Sequence, residues 1–170
     1  MREPNLQRVT EFLKWIETTE VAAFMSQSTW AFSAILMLHL IAIILVVGMI
    51  TIVDLRLIGL ASRHCAVTDL CRDVLPLTWA AFVVATGTGL LVFTAQPVKY
   101  FDNYAFRMKF ALMALAGINM LVFQLITYRG VSNWDRDATV PLAARLAGAI
   151  SLASWFAVVA YGRWTGYFMF

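Results

Sequence analysis

A chain of 170 residues that is 61% hydrophobic, with a mean hydropathy of +0.76 and only 14% charged residues, is one domain's worth of polymer whose solvent is lipid, because soluble domains carry about a quarter charged residues. The net charge of +3 is spread between apolar runs rather than gathered in a block, which argues against a nucleic-acid partner. Two cysteines, Cys65 and Cys71, are too few for a disulfide scaffold.

Residues 1–20 hold Glu3, Glu11, Glu17 and Glu20, with no short apolar core ahead of a small-residue cleavage site. No cleavable signal peptide is expected, and the first apolar run should serve as an uncleaved anchor. Residues 5–24 place Leu6, Val9, Phe12, Leu13 and Ile16 at helical spacing with Arg8, Glu11, Lys14 and Glu17 between them. That pattern predicts an amphipathic helix along the membrane interface, with Trp15 at headgroup depth.

A helix needs roughly 20 mainly apolar residues to cross the hydrocarbon. Four stretches qualify: about 29–52, 75–95, 106–128 and 142–164. Asp54 and Arg56 close the first, Pro76 opens the second, Gln96 and Pro97 end it, Arg107 and Lys109 start the third, and Pro141 precedes the fourth. Lipid offers no partners to free backbone amides, so spans of this kind must be helical. The expected fold is an all-α membrane protein, a four-helix transmembrane bundle preceded by an interfacial helix, with residues 1–170 forming one domain.

Four crossings put both termini on one side. Arg2, Arg8, Lys14, Lys99, Arg107, Lys109 and Arg163 fall there, against Arg56, Arg63, Arg72, Arg129, Arg136 and Arg145 opposite. Discounting Arg2 and Arg8 as too far from a span leaves five against six, a lean toward both termini outside. Trp30, Trp79, Tyr100, Phe101, Tyr104, Phe106, Trp134, Tyr161, Trp164 and Tyr167 gather at span ends, as interfacial belts do. The Ala85–Gly89 run ATGTG and the pairs Ala144/Gly148 and Ala147/Ser151 predict close helix contacts, within the chain or in a homo-oligomer. A cofactor edge lying against Gly87 or Gly89 is the alternative use of the run.

The chemistry centres on His39, the one imidazole within AFSAILMLHLIAIILVVGMI, residues 31–50. Ten residues into its span it lies about 15 Å deep, where an ionisable group should face the bundle and find a partner. It could ligate haem iron or another metal, form part of a proton or quinone site, or simply bond a carbonyl or an Asn on another helix. The only other histidine, His64, falls in a connector, so one chain offers no second imidazole at that depth. A second ligand would have to come from a methionine or from another protomer. Met37, Met49, Met113 and Met120 lie in spans, and a thioether can bind haem iron or Cu(I), although methionine also fills apolar gaps.

The third span carries Lys109, Leu112, Met113, Ala116, Met120 and Phe123 on one stripe, with Asn119 at its margin. Pointing inward, Lys109 could meet a haem propionate or a headgroup phosphate; pointing outward, it snorkels. Asn119 is the expected hydrogen-bond partner of His39 if the first and third spans touch. Asp54 and Arg56 could pair with Arg145 at one membrane face. Arg63–Cys71, RHCAVTDLC, lacks the second ligand pair of a zinc site. No Gly-rich phosphate loop or nucleophile motif is present, and no Glu lies within a span, which argues against a proton-driven transporter.

HLIAIILVVGMITIVDLRLIG, RMKFALMALAGIN and the GRWTGY ending resemble an uncharacterised bacterial four-span membrane family. Through its first and third helices that family is similar to the copper-resistance D membrane domain and to the HemJ-type haem-binding protoporphyrinogen oxidases. The matched residues are His39, Gly48, Lys109 and Asn119; in the oxidases a histidine stands near the position of Asn119. The resemblance implies a bacterial inner-membrane bundle that handles haem b or copper, often beside a periplasmic partner. Three functions stay open: an accessory membrane subunit binding haem or copper at His39, a haem- or quinone-linked redox enzyme, and a purely structural partner with no cofactor.

Overall fold

The computed structural model describes residues 4–61, 65–135 and 140–167. Among them every regular element is helical: α1 (Pro4–Glu17), α2 (Glu20–Gln27), α3 (Thr29–Ile58), α4 (Val67–Thr94), α5 (Pro97–Asp102), α6 (Tyr104–Val122) and α7 (Leu142–Tyr167). Past Val122, α6 widens into a π turn over Phe123–Thr127 and then tightens into a 3-10 turn over Tyr128–Asn133. With that extension, four helices are long and apolar enough to cross a bilayer. This is the all-α bundle of an integral membrane protein.

The amphipathic stretch 5–24 is broken where the sequence predicts continuity. The hydroxyls of Thr18 and Thr19 donate to the carbonyls of Trp15 and Ile16, each at 2.7 Å. Thr19 then accepts from the Ala22 amide at 3.3 Å, capping α2. Two neighbouring threonines thus bond carbonyls in one helix's last turn and an amide in the next one's first turn. Leu13 turns into the protein while Phe12 and Trp15 stack on each other and stay exposed. The first helix packs on α5, and α2 packs on α3 and α4.

Ser28 caps the start of α3 through the Ala31 amide. Gly59 ends it with φ +85°, a left-handed turn that glycine adopts without steric cost. Predicted to close near residue 52, α3 runs on to Ile58 and takes Asp54 and Arg56 into the interior. The next helix likewise starts nine residues before Pro76 and carries that proline within it. Its cap comes from far along the chain: Asp135 accepts from the Thr68 amide at 2.8 Å and from the Thr68 hydroxyl at 2.6 Å.

Arg56, 0% exposed, donates from Nε to the Cys65 carbonyl at 2.9 Å and from Nη2 to the Asp135 carbonyl at 3.2 Å. One guanidinium therefore ties the end of α3 to both connectors at that face. The Asp54 carboxyl faces Ser151 of α7. The expected pairing of Asp54 and Arg56 with Arg145 is not among the ion pairs of the described residues; Arg145 is exposed, and backbone carbonyls accept from Arg56 instead. Trp134, expected in the aromatic belt, is buried with Leu57, Val67, Cys71, Val140 and Ala144. Trp30, Trp79, Tyr104, Trp164 and Tyr167 are exposed, as belt residues should be.

Helix packing follows the small residues. A Cβ on Gly148 would stand 3.0 Å from the Asp54 carbonyl oxygen and from Leu57 Cβ, so α3 and α7 approach as closely as a missing side chain permits. The spans pack in the order α4, α3, α7, α6. Neither α3 with α6 nor α4 with α6 is a substantially packed pair. What joins α4 to α6 is an aromatic cluster at the end nearer the termini, where Phe93 stacks on Phe106 at 5.6 Å and Tyr100 packs beside both.

Candidate functional site

His39 lies on the inward stripe of α3 that also carries Ala31, Ala42 and Val46. Opposite, Val74, Thr78, Ala81, Ala85, Thr88 and Val92 recur three and four apart along α4 and are buried, the spacing of one helix face. The imidazole Nδ1 stands 2.8 Å from the Ala85 carbonyl oxygen and 3.1 Å from Thr88 Oγ1. A carbonyl oxygen can only accept, so Nδ1 carries the proton. The Thr88 hydroxyl donates to the Val84 carbonyl at 2.6 Å, leaving its oxygen to accept a share of the same N–H. The proton is thereby fixed on Nδ1, and Nε2 keeps its lone pair.

Gly89 makes this contact possible. A Cβ there would lie 2.8 Å from His39 Cε1 and 3.4 Å from Nδ1. With no side chain at 89, the ring lies flat enough on α4 to reach the carbonyl one turn earlier. The companion Gly87 has nothing within 4 Å, so of the two glycines in ATGTG only Gly89 serves the histidine.

Lys109 enters from α6. Its Cδ, Cε and Nζ each lie 3.9 Å from the Cβ position of Gly162, and its charge falls within electrostatic reach of His39. Lys109 stands five residues after Tyr104 at the start of α6, and Gly162 five before Tyr167 at the end of α7. The Asn103–Thr165 and Asn119–Ala147 bonds set the register of α6 on α7, and by it Gly162 lies three to five residues nearer than Lys109 to the end that carries Tyr104 and Tyr167. The side chain therefore rises toward that face, the direction a snorkelling lysine takes.

Asn119 is not the partner of His39. Its Nδ2 donates to the Ala147 carbonyl on α7 at 2.9 Å, because α6 packs on α7 and not on α3. Met113 is half-buried on α6, one turn beyond Lys109, and no contact joins it to His39 among the described residues. His64 and Arg63, like Arg2 and Arg136, lie outside the described residues; of the connector thiols, Cys65 is exposed and Cys71 buried.

Four long apolar helices and an inward histidine are thus on display, and the sequence match agrees in extent. The chain belongs to the family of unknown function DUF6644. The match runs over residues 10–168, from α1 to the end of α7. No curated protein and no solved structure matches the chain.

Ala85, Thr88 and Gly162 escaped the sequence reading as site residues. A signal for the first two was present. His39 lies twenty residues before Gly59, and Thr86 twenty after Ala66. Folding the chain back at that connector sets His39 against the ATGTG run.

Proposed function

We propose that the chain is an accessory, non-catalytic subunit of the bacterial inner membrane that binds b-type haem through His39 Nε2. The observation that carries this reading is the bond from Nδ1–H to the Ala85 carbonyl. An imidazole whose Nδ1 proton is committed to a backbone carbonyl presents Nε2 as a bare donor of fixed direction, which is the arrangement metal-ligating histidines use. Haem brings four nitrogens of its own and asks the protein for one axial ligand, so a single mid-membrane imidazole fits it. A copper ion asks for two or three protein donors, which makes haem the better fit to a lone His39. When bound, haem would supply a one-electron redox centre; the chain's own part is to hold and orient it.

The test is the visible spectrum of protein purified in detergent from cells supplied with haem precursor. A Soret band that His39→Ala removes, with the thermal midpoint retained, is the expected result. A folded, colourless protein that takes up no added haem would overturn it and leave a structural partner. Copper recovered in proportion to protein and lost with the same substitution would move the assignment to that metal.

A further inference from the structure

We propose that Asp54 is a proton-binding site: in the closed bundle its carboxyl is held as the neutral acid, and it latches the end of α3 to α7 until that proton is lost. The inference is independent of the haem reading and concerns the opposite face of α3.

Asp54 lies past the apolar run 29–52, at the face of the bundle that holds the two connectors, and is nonetheless only 4% exposed. No donor reaches its Oδ2, which is fully buried, and the ion pairs formed among the described residues join Arg72 to Asp69 and Asp73, leaving Asp54 outside them. The charges around it are engaged elsewhere. Arg56, two residues on, leaves the helix on another side and sends Nε and Nη2 to the carbonyls of Cys65 and Asp135. On α7, Arg145 is exposed, and the group facing the carboxyl is the neutral hydroxyl of Ser151. From α4 comes Cys71, buried with Leu57, and Tyr128 packs against the same cluster; neither is a cation. Asp135 is the contrasting carboxylate at this face, because the Thr68 amide and hydroxyl both donate to it. The remaining neighbour, α2, adjoins the far end of α3, where its Glu20 is exposed. The seam is tight at Asp54, since a Cβ on Gly148 would stand 3.0 Å from its carbonyl oxygen. A carboxylate buried there without donor or counter-ion costs far more than the neutral acid, which has an O–H to give and the Ser151 oxygen opposite to receive it. Losing the proton leaves an uncompensated charge between α3 and α7, relieved by opening the seam to water. Because the site lies beyond the apolar run, its protons exchange with the aqueous phase on one side of the membrane.

The experiment is infrared spectroscopy of the full chain in detergent, titrated with base from acid pH, with the aspartate carboxyls carbon-13 labelled. The folded wild type should show the carbonyl stretch of a protonated carboxylic acid at neutral pH, shifted by the label and missing from Asp54→Asn. The closed bundle then holds a proton that the unfolded chain gives up above about pH 4. Stability should therefore fall as pH rises from that value to the pH at which the band disappears, and level off beyond it. The fall is about 3–6 °C in thermal midpoint for each pH unit of that window, and Asp54→Asn should lack it. Ser151→Ala keeps the carboxyl but removes the hydroxyl facing it, so the band should persist at a shifted frequency; this variant decides the matter if Asp54→Asn does not fold. A folded wild type without the band at neutral pH, or a band that survives Asp54→Asn, would overturn the proton site. A band unmoved by Ser151→Ala, or the same pH dependence in wild type and Asp54→Asn, would overturn the latch.

Discussion

Gly89→Ala is the most informative single change, because one methyl group sets the helix contact against the histidine's hydrogen bond. The new Cβ would stand 2.8 Å from His39 Cε1, so the ring must retreat by about 0.6 Å to reach ordinary van der Waals contact. Such a retreat stretches the 2.8 Å bond to the Ala85 carbonyl toward the limit of useful geometry. Overpacking costs about 1–3 kcal/mol and the weakened hydrogen bond about 1 kcal/mol, against roughly 1 kcal/mol recovered by replacing glycine within a helix. The net loss is about 1–3 kcal/mol, equivalent to a fall of roughly 2–12 °C in thermal midpoint for a chain of this length. Gly87→Ala is the matched control: the same helix and substitution, with nothing within 4 Å of the added methyl, so it should hold or raise stability. The assay is unfolding followed by tryptophan fluorescence in detergent, with haem uptake measured on the same samples. Two variants that unfold within a degree of each other would refute the argument that Gly89 is reserved for the imidazole.

Further outcomes follow from other contacts. Gly148→Ala places a methyl 3.0 Å from the Asp54 carbonyl and from Leu57 Cβ, and should cost about 1–3 kcal/mol by forcing α3 and α7 apart, read as a lower thermal midpoint. Asn119→Leu removes the bond to Ala147 and should cost under about 1 kcal/mol while leaving the Soret band unshifted; a changed spectrum would mean that Asn119 acts on His39 after all. Asp135→Ala strips the cap from α4 and should lower stability by about 1–2 kcal/mol. Arg56→Met leaves the carbonyls of Cys65 and Asp135 without their donor and should lower stability by about 1–3 kcal/mol for each carbonyl left unpaired, cutting the yield of folded protein; expression with fluorescence-detected size exclusion checks it.

The spans were legible because each holds enough apolar residues to cross the membrane, and lipid leaves a backbone no option but the helix. Their ends were less so. The start of α4 at Val67 rests on Asp135, a cap supplied from the connector between α6 and α7, and nothing local to Val67 announces it. Trp134 reads as a belt residue by type and position, and only the fold of the two connectors shows that it closes the core. The candidate site divides in the same way. That His39 must turn inward follows from the cost of a polar group in lipid. A carbonyl on another helix was among its expected partners and is the one that forms; which carbonyl was not legible, because a backbone acceptor has no residue identity to read, and naming Asn119 presupposed that α3 touches α6. Gly89 was visible as a small residue, but its purpose depends on which neighbour fills the space above it.

The proton on His39 decides the account, and nitrogen NMR of histidine-labelled protein reads it directly, with His64→Gln used to isolate the signal. In ligand-free protein His39 should show a protonated Nδ1 and a bare, pyridine-like Nε2, and added haem should act on Nε2 alone. A protonated Nε2 in the ligand-free protein would mean that this nitrogen has no lone pair to give, and the proposed axial ligand would be lost.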